Sequence, residues 1–410
     1  MANQSAEMTG RSSYLFGLIN LVAVFVIVWI LWYIFMHPNG VMGLYTPMYG
    51  FSLVVTLLAS IILMVEVLGS WPFSRAETSP ARLPRGILMT VVSVVLMLVI
   101  YFVLFRNIIG TLGVAYFSPE SIIAAGGTGA EPWNAREQSS TAIVYALTAF
   151  LWWGLFWRLG FGSYPWQNDA RGTVGWSRFF AVMFFSMITF ALLFHPSVCY
   201  LFYPPQSKAG VAAWWSDFAG TDSAFFSLGL ILCILFWIIC SAQLWEGYPW
   251  RKMETKAGGA LAKGVITWVV TAALGAVMLY ILYLIFNAIW MTPFVGGQYT
   301  DAPYWRFIHA GEIAGFFILA TFILKVYFNN FPGSGLNIWL RSIIRTLIAV
   351  GGGMLIYWFY FSSAGCAVLG RVPGFAQPDD TPLVWTILFL CVILIQKEFF
   401  LGWPLRRPKE

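Results

Sequence analysis

The sequence predicts an all-α polytopic membrane protein with ten transmembrane helices, and three observations lead to that prediction. Of the 410 residues, 60% are hydrophobic and only 10% are charged, whereas soluble domains are about a quarter charged. Ten apolar runs are each long enough for the ~20 residues that cross a ~30 Å hydrocarbon core. Every second run ends at a related stop segment. We therefore expect residues 1–410 to form a single membrane domain.

Each stop segment contains Gly or Asn, then an aromatic residue, then Pro. Gly or Asn accepts the left-handed conformation that ends a helix, and Pro cannot continue the helix. The aromatic ring suits the membrane–water interface, where one side of it is apolar and the other is wet. The five segments are Gly69–Phe73, Gly162–Trp166, Glu246–Trp250, Asn329–Gly333 and Leu401–Leu405.

The stop prolines lie 93, 84, 83 and 72 residues apart, which indicates five internal repeats with two helices in each. The repeats are predicted at approximately 14–73, 86–166, 174–250, 262–333 and 341–405. The first helices are predicted at approximately 14–36, 86–106, 174–194, 262–286 and 341–361. The second helices are predicted at approximately 48–68, 140–161, 223–246, 304–328 and 382–401.

Because each repeat crosses the membrane twice, all five helical hairpins have the same orientation and are parallel repeats. Five such hairpins can close as a pseudo-fivefold ring, with one helix of each lining the centre. This layout resembles that of the slow-anion-channel and tellurite-resistance family, which uses five hairpins around a central pore. The resemblance lies in hairpin count and orientation only, and it implies no role for any residue.

The basic residues predict the orientation of the chain. Of the 23 Lys and Arg residues, 18 fall in the N-terminal tail, the loops between repeats, the adjoining helix ends or the C-terminal tail. By the positive-inside rule, both termini and the stop segments are cytoplasmic, in a multi-pass protein of the cell (inner) membrane. The first run lacks a cleavage site and is interpreted as a retained helix. This orientation accounts for the basic pI of ≈ 9.0, so no nucleic-acid partner is needed to explain it.

A phenylalanine precedes a polar group at the outer end of every first helix. In a ring these residues would form an apolar constriction beneath a polar mouth, as in pores that gate by dewetting. The alternative is an aromatic belt with polar helix ends, which any membrane helix shows. The residues are Phe35 and His37, Phe105 with Arg106 and Asn107, Phe194 and His195, Phe286 and Asn287, and Phe361 and Ser362.

A second polar set lies six or seven residues before the stop prolines. Ionisable groups within membrane helices often mark a solute pathway. The alternative is that Lys and Arg side chains near helix ends extend to water. Glu66 is the strongest candidate, because a short carboxylate side chain reaches less far. The set consists of Glu66, Arg158, Gln243, Lys325, Lys397 and Glu398.

All three histidines, His37, His195 and His309, belong to the outer half of the chain. His309 and Glu312 are three residues apart and share a helical face, which favours a proton-coupling or substrate-binding pair. The histidines are also candidate ligands of a haem or a metal, although their spacing does not require one. His37 and His195 each precede a proline, where capping of the helix end is the plainer role. We therefore predict no metal site.

Two further features have structural interpretations. Cys199 and Cys366 fall in loops on the same predicted face, so the sequence leaves open whether they form a disulfide. The run Gly351–Gly353 within a first helix predicts close approach of a neighbouring helix rather than a hinge.

The function that these observations favour is a transporter or channel for a small polar solute, since no extramembrane catalytic domain is present and polar residues recur at two depths. The alternative is an integral-membrane subunit of a redox or multiprotein complex, with haem or metal held by the histidines. An enzyme is disfavoured because no nucleophile–base pair has a convincing spacing. The expected partners are the lipid bilayer and the solute, with a homo-oligomer or membrane complex left open.

The charge of the solute follows from an assumption about which helices are central. If the first helices line the centre, only Arg106 gives that lining a charge. Cation pathways normally show acidic rings, and no acidic residue lies within a first helix. We therefore predict an anionic or zwitterionic solute, such as a carboxylate or an amino acid.

Overall fold

Within the described residues of the computed structural model, ten helical spans are long and apolar enough to cross a membrane, three of them when their π-helical continuations are included. Their α-helical parts are α1 (Ala2–Phe35), α2 (Tyr49–Ile62), α3 (Ser79–Leu98), α4 (Pro132–Leu159), α5 (Arg171–Phe194), α6 (Asp222–Gln243), α7 (Gly259–Ile289), α8 (Trp305–Tyr327), α9 (Ile338–Phe361) and α10 (Pro382–Leu394). The structure describes residues 2–44, 48–73, 79–112, 115–126, 130–166, 168–194, 222–253, 259–291, 305–333, 335–371 and 382–403. The chain is thus an all-helical, multi-pass membrane protein.

Three of the ten helices continue as π-helix, which the apolar pattern did not predict. The π-helical segments are Leu63–Val67 after α2, Val99–Ile109 after α3 and Ile395–Phe399 after α10. π-helical turns widen a helix by one residue per turn and often occur at functional sites. Glu66, Lys397 and Glu398, three members of the second predicted polar set, lie within such segments.

The largest difference from the predicted boundaries is at α4, which begins at Pro132 rather than near residue 140. The polar run that follows Pro132 was expected in a loop, yet its side chains from Glu137 to Thr141 are buried. Glu137 is 5% exposed, and its carboxylate accepts the backbone N–H of Met48 at 2.8 Å, at the start of α2. Tertiary bonding therefore draws a polar segment into the helix. Residues 195–221, which follow α5, lie outside the described residues.

The odd-numbered and even-numbered helices form two layers. In the most apolar window of each even-numbered helix, 67–83% of the residues are buried, against 17–28% in the odd-numbered helices. The even-numbered helices also contact one another in series, since α2 packs on α4, α4 on α6, α6 on α8, α8 on α10 and α10 on α2. They form the inner layer, and the odd-numbered helices cover it and face lipid. The assumption that the first helices line the centre is therefore wrong.

The stop segments share an unusual backbone. The residues predicted to be left-handed are so, with positive φ at Gly69, Gly162, Gly247, Asn329 and Gly402. A second left-handed residue adjoins each of them, at Ser70, Ser163, Glu246, Asn330 and Leu401. The aromatic–Pro bond that follows is cis at Pro72, Pro165, Pro249 and Pro332, whereas Pro404 lies outside the described residues. We refer to the end of the bundle that holds these segments as the proline end, and to the opposite end as the far end.

A buried cation follows the stop segment at the start of each of four odd-numbered helices. These cations are Arg85, Arg178, Lys263 and Arg345, which are 8, 5, 7 and 2% exposed. Three of them lie thirteen residues after the stop proline, and Lys263 lies fourteen after it. The spacing places the cation against the end of an even-numbered helix, where the last carbonyl groups have no partner within the helix.

Arg345 and Arg85 donate to those carbonyl groups, whereas Arg178 donates from Nη1 to the hydroxyl of Ser163 at 2.9 Å. Arg345 donates from Nε to the carbonyl of Asn330 at 2.7 Å and from Nη1 to that of Leu244 at 2.9 Å. Arg85 donates from Nη1 to the carbonyl of Glu398 at 2.9 Å. A cation at a helix C-terminus also complements the helix dipole. Buried arginines therefore donate hydrogen bonds to backbone carbonyl groups at the proline end of the inner layer, where a carbonyl group without a donor would be unfavourable.

The glycine run of α9 behaves as predicted at one of its positions. A Cβ atom at Gly353 would lie 2.5 Å from a ring carbon of Phe317 and 3.1 Å from the Phe316 carbonyl, both on α8. At Gly351 nothing lies within 4 Å. The close approach of α9 to α8 thus depends on Gly353, which confirms close packing there.

Candidate functional site

The five far-end phenylalanines lie in different surroundings. Phe35 is 40% exposed on the outer layer, whereas Phe194, Phe286 and Phe361 are buried against the inner layer. Phe105 stacks on Phe117 with ring centroids 5.2 Å apart. The five rings therefore lie in different environments. The helices that carry them belong to the outer layer and do not meet at the centre of the bundle.

Two of the polar groups beside these rings, Arg106 and Asn287, make local side-chain contacts. Arg106 is paired with Glu120 on the following short helix, through an Nε–Oε2 hydrogen bond of 3.0 Å, and Asn107 is exposed. The Arg106 guanidinium lowers the pKa of the Glu120 carboxyl to about 2. Asn287 accepts a hydrogen bond from Arg306. Arg106 is thus engaged in a surface ion pair with Glu120.

The other predicted loop and helix-end residues have separate local roles or lie outside the described residues. Nδ1 of His37 accepts the backbone N–H of Asn39 at 3.0 Å, and its ring packs against Gly370, so it caps the end of α1. His195 and Cys199 lie outside the described residues. Cys366 is a buried free thiol. Within the described ranges, no group of three or more His, Cys, Asp and Glu side chains is placed to hold a metal.

His309 and Glu312 form the most deeply buried polar unit of the predicted set. His309 is 1% exposed and Glu312 is 7% exposed, and Nδ1 lies 2.7 Å from Oε2 of Glu312. Nε2 of His309 lies 2.9 Å from the hydroxyl of Tyr357 on α9. We call His309, Glu312 and Tyr357 the His309 cluster. Because both ring nitrogens are engaged, the cluster suits proton binding better than metal ligation.

Glu66 and Arg158, from the second predicted set, meet as an ion pair. Nη1 of Arg158 lies 3.1 Å from Oε2 of Glu66, and the same nitrogen donates to the carbonyl of Val65 at 3.1 Å. The pair joins the end of α2 to the end of α4. Nδ2 of Asn330 donates to the backbone carbonyl of Gln243 at 2.7 Å, and this hydrogen bond connects the end of α6 to the stop segment after α8.

Lys325 and Lys397, from the same set, line one cavity with a volume of about 310 Å³ at the proline end. The cavity lies between α1, α8 and the π-helical end of α10. We call it the proline-end pocket. Its polar lining consists of Asn20, Lys325, Tyr327, Asn329, Gln396 and Lys397.

The amide groups of this pocket are held in place by one another. The Tyr327 hydroxyl donates to Oε1 of Gln396 at 2.8 Å, and Nε2 of Gln396 donates to Oδ1 of Asn20 at 3.2 Å. Lys397 pairs with Glu398 at 3.0 Å, whereas no ion pair of Lys325 is found among the described residues. The pocket therefore has a fixed polar wall and one ammonium group without a counter-ion there.

Four residues of these sites were not among the predicted ones, namely Asn20, Tyr327, Gln396 and Tyr357. Asn20 is the one amide in the apolar run 14–36, and Gln396 adjoins Lys397, so both carried a signal in the sequence. Tyr357 carried none, because nothing in the sequence aligns position 357 of α9 with His309 of α8. Buried Arg178 and Arg345 were detectable by their constant distance from the stop prolines.

Comparisons with protein-family models, with curated proteins and with solved structures found no match to this chain. The resemblance to the slow-anion-channel and tellurite-resistance family therefore remains one of hairpin count. Functional inference for this chain rests on its own side-chain geometry.

Proposed function

We propose that this protein is a transporter or channel for a small anionic or zwitterionic solute, such as a carboxylate or an amino acid. The observation that carries the proposal is the proline-end pocket. Two ammonium groups and three amides line it, and its described lining includes no carboxylate. The support comes from this pocket and not from the far-end Arg106, which is paired with Glu120.

The charge balance of the pocket favours an anion. The formal charges of Lys325, Lys397 and the neighbouring Glu398 sum to +1, and the nearby Glu246 is already paired with Arg341 and Arg345. An uncompensated charge within a membrane protein is unfavourable. A carboxylate about 4 Å from one ammonium group would gain about 4 kcal/mol of Coulomb energy at an effective dielectric constant of about 20. Binding of one anion therefore neutralises the site.

The size and polarity of the pocket limit the solute. A volume of about 310 Å³ is at the lower end of the range of about 300–1,000 Å³ for small-molecule sites. The hydrogen-bonded amides of Asn20 and Gln396 add neutral polar groups beside the ammonium groups. These features fit a compact polar anion better than a lipid or a large cofactor.

For the architecture, we propose five parallel two-helix hairpins around a pseudo-fivefold axis, with the second helix of each hairpin inside. The closed series of contacts among the even-numbered helices supports this arrangement. The five related stop segments, and the four cations at thirteen or fourteen residues from the stop prolines, support an internal repeat. An experimental structure with the even-numbered helices in two separate bundles would contradict it.

For localisation, we propose the cell (inner) membrane, with both termini and the proline end in the cytoplasm. The basis is the distribution of the 23 Lys and Arg residues, of which 18 belong to that end. The proline-end pocket would then open toward the cytoplasmic side of the membrane.

The test is a binding screen on the purified full-length protein in detergent or nanodiscs. Organic acids, amino acids, inorganic anions and cations are compared by thermal shift, and a positive solute is then tested for flux in proteoliposomes. We expect an anion or zwitterion to raise the melting temperature, and Lys325→Gln and Lys397→Gln to weaken its binding by at least tenfold.

The matched control is Lys252→Gln, which removes one exposed ammonium group from the same end of the bundle without touching the pocket. This variant should bind as the wild type does. Selective binding of a cation, or anion binding that is unchanged in both pocket variants, would refute the proposal.

A further inference from the structure

The helix α8 carries both of the sites described above. His309 and Glu312 lie near its start, and Lys325 lies near its end, sixteen residues after His309. At 1.5 Å per residue, the two sites are about 24 Å apart along one continuous helix. We propose that the His309 cluster is a proton-binding site that couples movement of the anion to movement of a proton. This inference rests on the proposed transport function.

The hydrogen bonds of the cluster allow it to hold a proton without moving heavy atoms. In the neutral imidazole, Nδ1–H donates to Glu312 and Nε2 accepts from the Tyr357 hydroxyl. In the imidazolium, both nitrogens donate, and the Tyr357 oxygen becomes the acceptor. Proton uptake at Nε2 therefore reverses one hydrogen bond, and the only atom that must turn is the hydroxyl hydrogen of Tyr357.

Burial sets the number of protons that the cluster holds. A lone carboxylate at Glu312, which is 7% exposed, is unfavourable within a membrane. One proton shared by Glu312 and His309 gives a net charge of zero, whichever of the two carries it. Loss of that proton leaves a net charge of −1. The pair therefore binds and releases one proton as a unit.

The rings around His309 separate it from the nearest cations. Phe286 and Trp290 of α7 lie at centroid distances of 4.9 and 6.1 Å from the imidazole, and Phe361 of α9 lies at 6.1 Å. The imidazole is hydrogen-bonded to two titratable groups, Glu312 and Tyr357.

Two guanidinium groups lie one ring farther out. Arg306 lies 5.9 Å from the centroid of Trp290, and Arg371 lies 5.0 Å from the centroid of Phe361. Their charges favour the state of the cluster with a net charge of −1, whereas burial favours the neutral, protonated state. These opposing influences allow the proton to be exchanged during a transport cycle.

The coupled process is balanced in charge. A monovalent anion that enters the proline-end pocket neutralises the net charge of +1 there, and a proton bound at the His309 cluster removes the charge of −1. One anion and one proton then cross the membrane together with no net charge. We expect a pH gradient to drive accumulation of the solute, and a membrane potential alone to have no effect.

The first experiment measures the proton itself and needs no solute. The chain has three histidines, so protein labelled with ¹⁵N-histidine in nanodiscs gives three imidazoles to follow from pH 5 to pH 9. His37→Gln and His195→Gln assign the His309 resonances by elimination, even if His309→Gln does not fold. We expect His309 to titrate, with a midpoint more than one pH unit lower in Glu312→Gln and displaced in Tyr357→Phe.

The second experiment uses proteoliposomes and the anion found in the binding screen. An acid exterior should increase accumulation at least tenfold in the wild type and in His37→Gln. Glu312→Gln and His309→Gln should lose this increase while still binding the anion.

The two proposals fail in different ways. If the anion binds but His309 keeps one protonation state from pH 5 to pH 9, the proton-coupling inference is overturned and the transport function stands. The same holds if Glu312→Gln leaves the His309 midpoint unchanged. If no anion binds although the wild-type His309 titrates with Glu312, the transport function is overturned and only proton binding by the cluster is supported.

Discussion

Nη1 of Arg345 lies 2.8 Å from Oε1 of Glu246, across the boundary between α9 and the stop segment after α6. Arg345 is 2% exposed, and it also donates to the carbonyl groups of Leu244, Asn330 and Pro332. One side chain of the outer layer therefore holds the ends of two neighbouring inner helices. This contact explains how a bundle with short connections fixes the positions of its helix ends.

The first prediction concerns Arg345. Arg345→Met removes a buried donor and leaves three carbonyl groups without it, so we expect a loss of at least about 3 kcal/mol of unfolding free energy. The matched control is Arg341→Met, because Arg341 contacts Glu246 at 3.2 Å, and the expected loss there is about 1 kcal/mol or less. Thermal melting of the detergent-solubilised variants measures the difference. Equal melting temperatures for the two variants would contradict it.

The second prediction is a pH dependence that arises from Glu246. Hydrogen bonding to Arg345 lowers the pKa of the Glu246 carboxyl below its ordinary value of about 4.3. The stabilisation is therefore fully present above that ordinary value and is lost as the pH falls through the lower, folded value. We expect Glu246→Gln to cost about 1–2 kcal/mol at pH 7.

Melting curves from pH 7 down to pH 3 test this sign. The gap between the wild type and Glu246→Gln should narrow at the acid end, because the protonated carboxyl then resembles the amide. A gap that widens on acidification would show that the stabilisation has another source.

The sequence predicted the helices well and their layering wrongly, for a physical reason. In a membrane, lipid-facing and buried residues are both apolar. Hydropathy therefore predicts that a helix is present and how long it is, but it does not predict whether the helix lies in the inner or the outer layer. The composition of α10, which is almost uniformly apolar from Leu383 to Leu394, is compatible with either position. The small polar residues of α2, such as Thr56 and Ser60, were the better signal of an inner helix.

The candidate sites were predictable to different degrees. The pair of His309 and Glu312 followed from helical spacing, because three residues along a helix bring two side chains together. The pocket that unites Lys325 and Lys397 required knowledge that α8 and α10 are neighbours. Their equal distance from the stop prolines placed them at one depth, but depth alone does not specify a shared cavity.

The third prediction compares two glycines of α9. Gly353→Leu forces a side chain into Phe317 and the Phe316 carbonyl of α8, so we expect it to destabilise the protein by about 2 kcal/mol or more. Gly351→Ala meets nothing within 4 Å, and it should be neutral or stabilise by up to about 1 kcal/mol because alanine favours the helix. Thermal melting distinguishes them. A destabilised Gly351→Ala variant would indicate that the glycine run acts as a hinge.

The last prediction concerns the orientation of the chain in the membrane. Lys252 and Glu131 are both exposed, at the proline end and the far end respectively, so a cysteine at either position should be accessible to reagents in water. If the proline end is cytoplasmic, a membrane-impermeant maleimide added to intact cells labels Glu131→Cys and leaves Lys252→Cys unlabelled until the cells are opened. Wild-type protein provides the blank for the native cysteines. Four of these are buried thiols, and Cys199 is the one outside the described residues. The reverse labelling pattern would place the proline-end pocket outside the cell, and the solute would then be captured from the exterior.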